Sequence, residues 1–185
     1  MARSVSDIIP RIGWGPGPWD GEPDRFEWVD DATGFPCLVV RHPLFGSLCG
    51  YVAVPPGNPF WGLDRTADPV RGLDVHDNVT YAASCMDVAD IPEGAQESEW
   101  FHPELLVCHV PEPGQPDDVW WLGFAASHHT DVQPGADARL RDSGGADILD
   151  RINSARGPFR RRYRGLDFMR GECARLAAQL CEAPA

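Results

Sequence analysis

Residues 36–54 read PCLVVRHPLFGSLCGYVAV. Two apolar runs rich in β-branched residues, 36–41 and 48–54, flank a short connector that contains Pro and Gly, and this pattern predicts two antiparallel strands. Residues 25–29 alternate between polar and apolar side chains, and residues 30–34 have the composition of a turn. The alternation predicts a further strand. We therefore expect a three-stranded antiparallel meander in this region.

Three more strands and one helix complete the expected fold. Composition predicts strands at residues 78–83, 105–110 and 119–125. Near the end of the chain, apolar residues recur at spacings of three and four, which places them on one face of a helix over residues 166–180: Leu166, Met169, Cys173, Leu176 and Leu180. This stripe can cover the sheet or pair with a second copy of the chain. A homo-oligomer is therefore an alternative to a monomer. We expect an α+β fold, a mainly antiparallel sheet of about six strands covered by the C-terminal helix.

The remaining segments are expected to be irregular. Residues 1–24 are rich in Gly, Pro and Trp, which predicts an arm without regular structure that packs on the body through Trp14 and Trp19. Residues 133–157 have the composition of a surface loop or a short helix. A chain of 185 residues buries enough surface for one core, so a single domain over residues 1–185 is expected.

The charged residues narrow the classes of function. All sixteen basic residues are Arg, which excludes Schiff-base chemistry on Lys and a phosphate-loop Lys. The net charge of −12 opposes binding to nucleic acid, because the phosphate backbone is itself an anion. The one basic cluster, residues 160–164, is expected to form a solvated face.

The apolar segments and the cysteines bear on location. No apolar run approaches the roughly 20 residues that a membrane span needs, and residues 1–10 lack the apolar segment of a signal peptide. We therefore expect no membrane contact and a cytoplasmic location. Thiols are kept reduced in that compartment, so all six cysteines are predicted to be free.

Ligand-type side chains collect near the ends of the predicted strands in the middle of the chain: His76, Cys85, Cys108, His109, His128, His129 and Asp131. None of the common catalytic or metal-binding motifs is present. Neutral imidazoles and a carboxylate are ordinary zinc ligands. Four of these residues could supply them: His76, His109, His128 and Asp131. The spacing of this set fits no short zinc template. We expect no metal and no cofactor, and hydrogen-bonded histidines beside a cleft.

A thiol nucleophile is a second option in the same region. Cys108 is followed directly by His109, but neighbours in a strand point to opposite faces. The activating imidazole would therefore have to come from His76 or His128. Cys85 is equally eligible as the nucleophile, although cysteines in apolar patterns are more often inert.

Several segments resemble a family of small uncharacterised proteins of phages and prophages: GPWD (17–20), WVDDATG (28–34), LCGYV (48–52), CHVPEPG (108–114), DDVWWLGF (117–124), YRGL (163–166) and ECARLAAQL (172–180). The family pattern has HGGLT and GFDCAH where this chain reads HDNVT (76–80) and GFAASH (123–128). The His positions match, whereas the acidic and thiol positions do not. The resemblance implies action on a host, such as binding the nucleotide signals of antiviral defence. The departures from the family pattern argue against an enzymatic function for this chain.

The residues and the resemblance together predict a protein that binds a small, nucleotide-like molecule and counters host defence. The expected binding site contains the polar set and two neighbouring indoles: His76, His109, His128, Asp131, Trp120 and Trp121. Neighbours in a strand face opposite sides, so one indole is expected in the core and the other in a pocket, where it can stack on a base. Two alternatives remain, a metal-dependent or cysteine hydrolase and a virion or protein-interaction component.

Overall fold

Six strands form one antiparallel sheet in the computed structural model, which describes residues 2–109 and 118–182. The strands are β1 (Arg3–Val5), β2 (Arg25–Val29), β3 (Pro36–Arg41), β4 (Leu48–Val54), β5 (Tyr81–Ser84) and β6 (Trp120–Ala125). Their order in the sheet is β1-β2-β3-β4-β6-β5, and all neighbouring pairs are antiparallel. The expected α+β class is confirmed.

The three-stranded meander lies at β2, β3 and β4, within the residues that the sequence predicts. Between β2 and β3 the Asp30 carboxylate accepts hydrogen bonds from the backbone N–H and the hydroxyl of Thr33, at 3.0 and 2.8 Å. This contact closes a turn of the Asx type. β3 and β4 are buried along almost their whole length. Both faces of these strands are covered, which is why they read as apolar runs and not as an alternation.

Residues 105–109 of the strand predicted at 105–110 form no strand. Residue 110 lies outside the described residues. A short 3-10 turn occupies Pro103–Leu105, and the N–H of Cys108 donates to the carbonyl of Leu106 at 3.0 Å, which is a local turn contact and not a strand pairing. Leu105 and Val107 are buried, so their apolar character reflects packing and not strand pairing. The sixth strand is β1, which the sequence did not predict.

The predicted strand at residues 78–83 begins later, as β5. Asp77 and Asn78 have φ angles of +56° and +68°, in the left-handed region that Asn and Asp enter more readily than other side chains. These two residues form a turn before β5. The left-handed backbone at these two residues therefore delays the start of the strand to Tyr81.

Five α-helices lie within the described residues: α1 (Asp68–Arg71), α2 (Glu93–Gln96), α3 (Pro134–Asp142), α4 (Ala146–Asn153) and α5 (Leu166–Glu182). The predicted C-terminal helix is confirmed as α5. Residues 133–157 hold two helices, α3 and α4, where a loop or one short helix was expected. Each is anchored by a buried residue, Ala138 in α3 and Leu149 in α4. No described helix has the length and apolar character needed to cross a membrane.

One side of the sheet, which we call the α5 face, is covered by α5. The helix buries Met169, Cys173, Leu176, Ala177 and Leu180, as the spacing predicts for four of them. Gly50 of β4 lies beneath the helix, and a Cβ at this position would come within 2.9 Å of Cys173 Sγ. The missing side chain lets α5 pack closely on the sheet.

The opposite side, which we call the arm face, is covered mainly by irregular chain. Residues 2–24 form the arm and place Ile9 and Trp14 in a second buried cluster, while Trp19 is half-buried beside it. Residues from β3 and β4, from 105–107, from 119–121 and from α3 complete this cluster: Leu38, Val40, Ala53, Leu105, Val107, Val119, Trp121 and Ala138. The two faces of one sheet thus have covers of different kinds.

Candidate functional site

Asp131 is the point where most of the predicted polar residues converge. Its side chain is fully buried and accepts hydrogen bonds from His76 Nε2 at 2.7 Å and from Arg164 Nε at 3.0 Å. The backbone N–H of His128 donates a third bond at 3.0 Å. Three segments that are distant in sequence therefore meet at one carboxylate. We call His76, Asp131 and Arg164 the Asp131 clamp.

The Asp131 clamp is an ionised and internally paired group. Burial would raise the pKa of the Asp131 carboxyl, but the hydrogen bonds and charges of His76 and Arg164 outweigh burial and lower the pKa below its ordinary value. An ionised carboxylate can only accept hydrogen bonds, so the shared proton lies on His76 Nε2. The His76 ring also meets Phe168 of α5 edge-on, with centroids 5.3 Å apart. Both Asp131 oxygens accept internal bonds, and this arrangement favours a structural role for the clamp.

The side chain of His128 lies beside Thr130. His128 Nδ1 is 2.8 Å from Thr130 Oγ1 and accepts a hydrogen bond from the Thr130 backbone N–H at 3.3 Å. The Nδ1 atom is therefore engaged locally by Thr130. His128 therefore contributes its backbone N–H, and not its imidazole, to the Asp131 carboxylate.

The basic cluster at residues 160–164 is only partly solvated. Arg161 makes two hydrogen bonds of 2.9 Å with the Asp137 carboxylate, and Arg164 belongs to the Asp131 clamp. Arg160 and Arg162 are exposed. The prediction of a solvated face is wrong for Arg161 and Arg164, because their acidic partners lie 24 and 33 residues away in the sequence.

His109 lies apart from this group, on the arm face. Its ring meets the ring of Trp121 at 5.5 Å between centroids, next to a disulfide between Cys85 and Cys108. The backbone N–H of Met86 donates to the carbonyl of Val107 at 3.0 Å, which holds the two cysteines side by side. The prediction of six reduced cysteines is therefore wrong for this pair, and the other four are free.

The four residues weighed as a zinc set, His76, His109, His128 and Asp131, do not come together at one point. Within residues 2–109 and 118–182, the group that brings three metal-ligand atoms within 4.8 Å of one another is Cys85, Cys108 and His109. His109 is separated from His76 and from Asp131, since these two lie beside α5 and His109 packs on the arm face. The strand expected at residues 105–110 would have placed Cys108 and His109 on opposite sides of a sheet, whereas residues 105–109 form no strand and the two side chains lie together.

The two neighbouring indoles face opposite sides, as predicted. Trp121 is fully buried in the arm-face cluster, and its indole N–H lies 3.4 Å from Cys85 Sγ. Trp120 packs against the α5-face cluster and donates its indole N–H to the Leu63 carbonyl at 3.0 Å. Full burial leaves Trp121 no surface to offer a ligand.

A cleft of about 260 Å³ opens on the arm face, away from the Asp131 clamp. Its floor is apolar and includes Ile9, Trp14 and Ala138, which are buried. Trp100 lies at the rim and is 42% exposed. Polar side chains complete the lining: Glu99, His102, Arg139 and Asp142. No pattern in the sequence indicated this cleft, because its residues come from four separate segments.

Close backbone contacts build the wall of the cleft. The N–H of Gly135, at the start of α3, donates to the carbonyl of Phe45 at 3.0 Å. A Cβ on Gly135 would come within 2.6 Å of the Leu44 carbonyl oxygen, and one on Gly46 within 2.6 Å of the Trp14 ring. Glycine at both positions therefore lets α3, the turn after β3 and the arm meet.

A buried charge network fixes the arm over the sheet. Arg41 and Asp24 are both fully buried, with Arg41 Nε 2.8 Å from Asp24 Oδ1. Arg11 of the arm lies 3.0 Å from the same oxygen, and the Ile9 N–H donates to Asp24 Oδ2 at 3.0 Å. Burial would raise the pKa of the Asp24 carboxyl, but the Ile9 N–H and the two guanidinium groups lower it. The network thus positions the floor of the cleft.

His42 supports the cleft wall as a neutral imidazole. Its Nδ1 accepts hydrogen bonds from the backbone N–H groups of Leu44 at 3.2 Å and Phe45 at 3.3 Å. Burial, together with the positive charge of Arg139, lowers the pKa of His42 below its ordinary value. A protonated Nδ1 cannot accept either bond, so the turn that carries Leu44 depends on the neutral ring.

The fold and these sites define a small α+β protein with a buried structural clamp near α5 and an aromatic cleft on the arm face. No protein-family model matches the chain, and no curated protein or solved structure matches it. The choice between the sites therefore rests on their geometry. The Asp131 clamp is internally paired, whereas the cleft presents an accessible indole over an apolar floor.

Proposed function

We propose that the protein binds a small, flat aromatic molecule in the cleft lined by Trp14 and Trp100. The observation that carries this proposal is the exposed indole of Trp100 at the rim of a cleft whose floor is apolar. Ligand sites are concave, mostly apolar and furnished with a few polar groups that orient the ligand. The cleft has these three properties.

The size of the cleft supports a single ring system as the bound group. Ligand pockets of drug-sized molecules occupy roughly 300–1,000 Å³, and this cleft, at about 260 Å³, lies just below that range. A planar heterocycle can stack on Trp100, and stacking of a base on an aromatic side chain contributes about 1–3 kcal/mol. A larger molecule would leave its remaining groups outside the cleft.

The charges at the rim favour a neutral or cationic ligand. Glu99 and Asp142 are acidic and exposed. The one lining guanidinium, that of Arg139, donates to the Leu44 carbonyl and lies over the Phe45 ring at 5.8 Å, so it is already engaged. The cleft therefore suits the base of the expected nucleotide-like ligand, whereas the acidic rim repels its phosphate. A role against host defence stays a prediction from the family resemblance.

Calorimetric titration of the purified chain with adenosine, tryptamine and adenosine 5′-monophosphate tests the proposal. We expect adenosine or tryptamine to bind with a single site, and the monophosphate to bind more weakly than adenosine. Trp100→Ala should weaken binding about 5- to 150-fold, which corresponds to the loss of about 1–3 kcal/mol of stacking.

Trp61→Ala is the matched control. Trp61 is 43% exposed, almost the same as Trp100, but it lies away from the cleft and donates its indole N–H to the Asp118 carbonyl at 3.1 Å. Its replacement should leave the affinity unchanged. The proposal is wrong if none of the three compounds saturates a site, or if Trp61→Ala weakens binding as much as Trp100→Ala does.

A further inference from the structure

The arm face carries a second group of reactive side chains, separate from the cleft. Cys85 Sγ, Cys108 Sγ and a ring nitrogen of His109 lie within 4.8 Å of one another. In the present state the two sulfurs form a disulfide. All three residues are half-buried, with the ring nitrogens of His109 buried, and Cys108 and His109 line a shallow groove of about 480 Å³.

We propose that reduction of the Cys85–Cys108 disulfide converts this group into a binding site for a thiophilic divalent cation, with zinc as the natural candidate. Two thiolates and one imidazole form a common zinc ligand set. Zinc–ligand bonds of about 2.3 Å to sulfur and about 2.0–2.1 Å to nitrogen require the ligand atoms to lie roughly 3–4 Å apart in a tetrahedron. Once the S–S bond is broken, the two sulfurs need to move apart only until the distance between them is roughly 3–4 Å.

The reaction balances with a dithiol as the reductant. The dithiol gives two electrons and two protons to the disulfide, and it becomes a disulfide itself while Cys85 and Cys108 become thiols. Binding of the cation then replaces the two thiol protons, which pass to solvent. Two thiolates and a divalent cation sum to zero charge, so the occupied site adds no net charge to the arm face.

Neighbouring donors hold the cysteines in place. The guanidinium of Arg25 donates to the carbonyl of Leu106 at 2.8 Å and to the carbonyl of Cys108, which fixes the backbone that carries Cys108 against β2. The indole N–H of Trp121 points at Cys85 Sγ from 3.4 Å. Donors of this kind orient a ligating sulfur and stabilise its charge.

The groove lined by Cys108 and His109 is the opening beside the proposed site from which a fourth ligand would approach. Glu27 also lines the groove, but its carboxylate pairs with Arg25 at 2.9 Å. Three protein ligands with a position open to water characterise zinc sites that bind or activate a small molecule. The chain therefore has an oxidised state without the site and a reduced state with it.

Titration with Co²⁺, which gives thiolate charge-transfer and visible absorption bands that zinc lacks, tests the proposal. The chain is reduced with dithiothreitol, freed of reductant under anaerobic conditions, and compared with the oxidised chain. We expect one Co²⁺ per reduced chain with both bands, no binding by the oxidised chain, and displacement of the bands by Zn²⁺. Far-UV circular dichroism on the same samples monitors the fold.

Variants separate this site from the other thiols. Cys181→Ser removes an exposed free cysteine and should leave the bands unchanged, whereas Cys108→Ser should abolish them. His109→Ala retains both cysteines and should weaken Co²⁺ binding at least tenfold, so it keeps the test valid if Cys108→Ser does not fold. The proposal is overturned if reduction unfolds the chain, if the folded reduced chain binds no Co²⁺, or if the bands survive in Cys108→Ser.

Discussion

The two faces of the sheet differ in what covers them. The α5 face is closed by one regular helix whose apolar stripe is buried from Met169 to Leu180. The arm face is closed by an irregular arm, by residues 103–109 and by α3. The cleft and the Cys85–Cys108–His109 group both lie on the arm face. A helix cover buries its face continuously, whereas a cover assembled from several segments leaves gaps between them where a ligand can bind.

Both sides hold buried, internally paired charges, the Asp131 clamp and the Asp24–Arg41 network, and the arm side adds exposed apolar side chains at the cleft. On the α5 side, the Asp131 carboxylate is buried and accepts three internal hydrogen bonds. On the arm side, Trp100 and Ile12 line the cleft while 42% and 84% exposed. Buried polar groups that satisfy one another stabilise a fold, and exposed apolar groups mark a binding surface. We therefore expect substitutions on the two sides to change different properties.

The largest effect is expected for Asp131→Asn. This change removes the carboxylate charge and leaves Arg164 and the donor nitrogen of His76 without their anionic partner in a buried setting. Breaking a buried ion pair by removing one partner costs about 3–5 kcal/mol of unfolding free energy. Urea denaturation should show this loss, while the exposed control Asp150→Asn should stay within about 0.5 kcal/mol of the parent. Equal stability of the two variants would contradict the clamp.

Leu176→Ala tests the helix cover itself. Leu176 is fully buried on the α5 face, and a Leu→Ala change in a core costs about 2–5 kcal/mol. Arg175 is its neighbour on the exposed side of the helix, where it pairs with Asp74 at 3.0 Å, and Arg175→Ala should cost less than about 1 kcal/mol. If thermal melting cannot tell the two variants apart, α5 does not close the core as described.

The smallest effect is expected from mild acid and should appear on the arm side. Because the folded state lowers the pKa of His42, the unfolded chain binds this proton more readily. The contribution of neutral His42 is complete above its ordinary pKa of about 6.5 and is lost as the pH falls from there towards the lowered pKa. Stability and ligand affinity should both decline in this window, and less in His42→Gln than in the parent.

The carboxylates respond in a separate window. The folded state lowers the pKa values of Asp24 and Asp131, so their contributions are complete above the ordinary value of about 3.9 and are lost as the pH falls through the lowered values. Urea titrations at several pH values separate the two windows.

The His42 prediction fails if stability depends on pH in the same way in the parent and in His42→Gln between about pH 7 and 5. That result would show that His42 does not support the cleft wall.

Local patterns in the sequence were sufficient for β2, β3, β4, β6 and α5, but not for β1, α3 or α4. The apolar runs at 36–41 and 48–54 predicted β3 and β4, and the spacing of apolar residues after Leu166 predicted α5, because each pattern depends on neighbours a few residues apart. The apolar residues Leu105 and Val107 misled the prediction, since burial under irregular chain requires the same side chains as a strand. A run of apolar residues reports burial more directly than it reports secondary structure.

The sites could be predicted only in part, because they depend on long-range partners. The polar set named His76 and Asp131, which do meet, but 55 residues separate them and no local pattern fixes such a contact. Cys85 and Cys108 are 23 residues apart, and a pairing among six cysteines is not deducible from spacing. Trp100 lies four residues after the end of α2, and no pattern in the sequence marked it as part of a site.

The indole N–H signals in a ¹H–¹⁵N spectrum test the central claim most directly. The chain has seven Trp residues, so each indole reports on its own surroundings during titration with adenosine or tryptamine. We predict that the signals of Trp14 and Trp100 shift and saturate together, while those of Trp61 and Trp120 stay in place. Shifts confined to Trp61 and Trp120, or no shift of any indole at saturating ligand, would contradict a ligand site on the arm face.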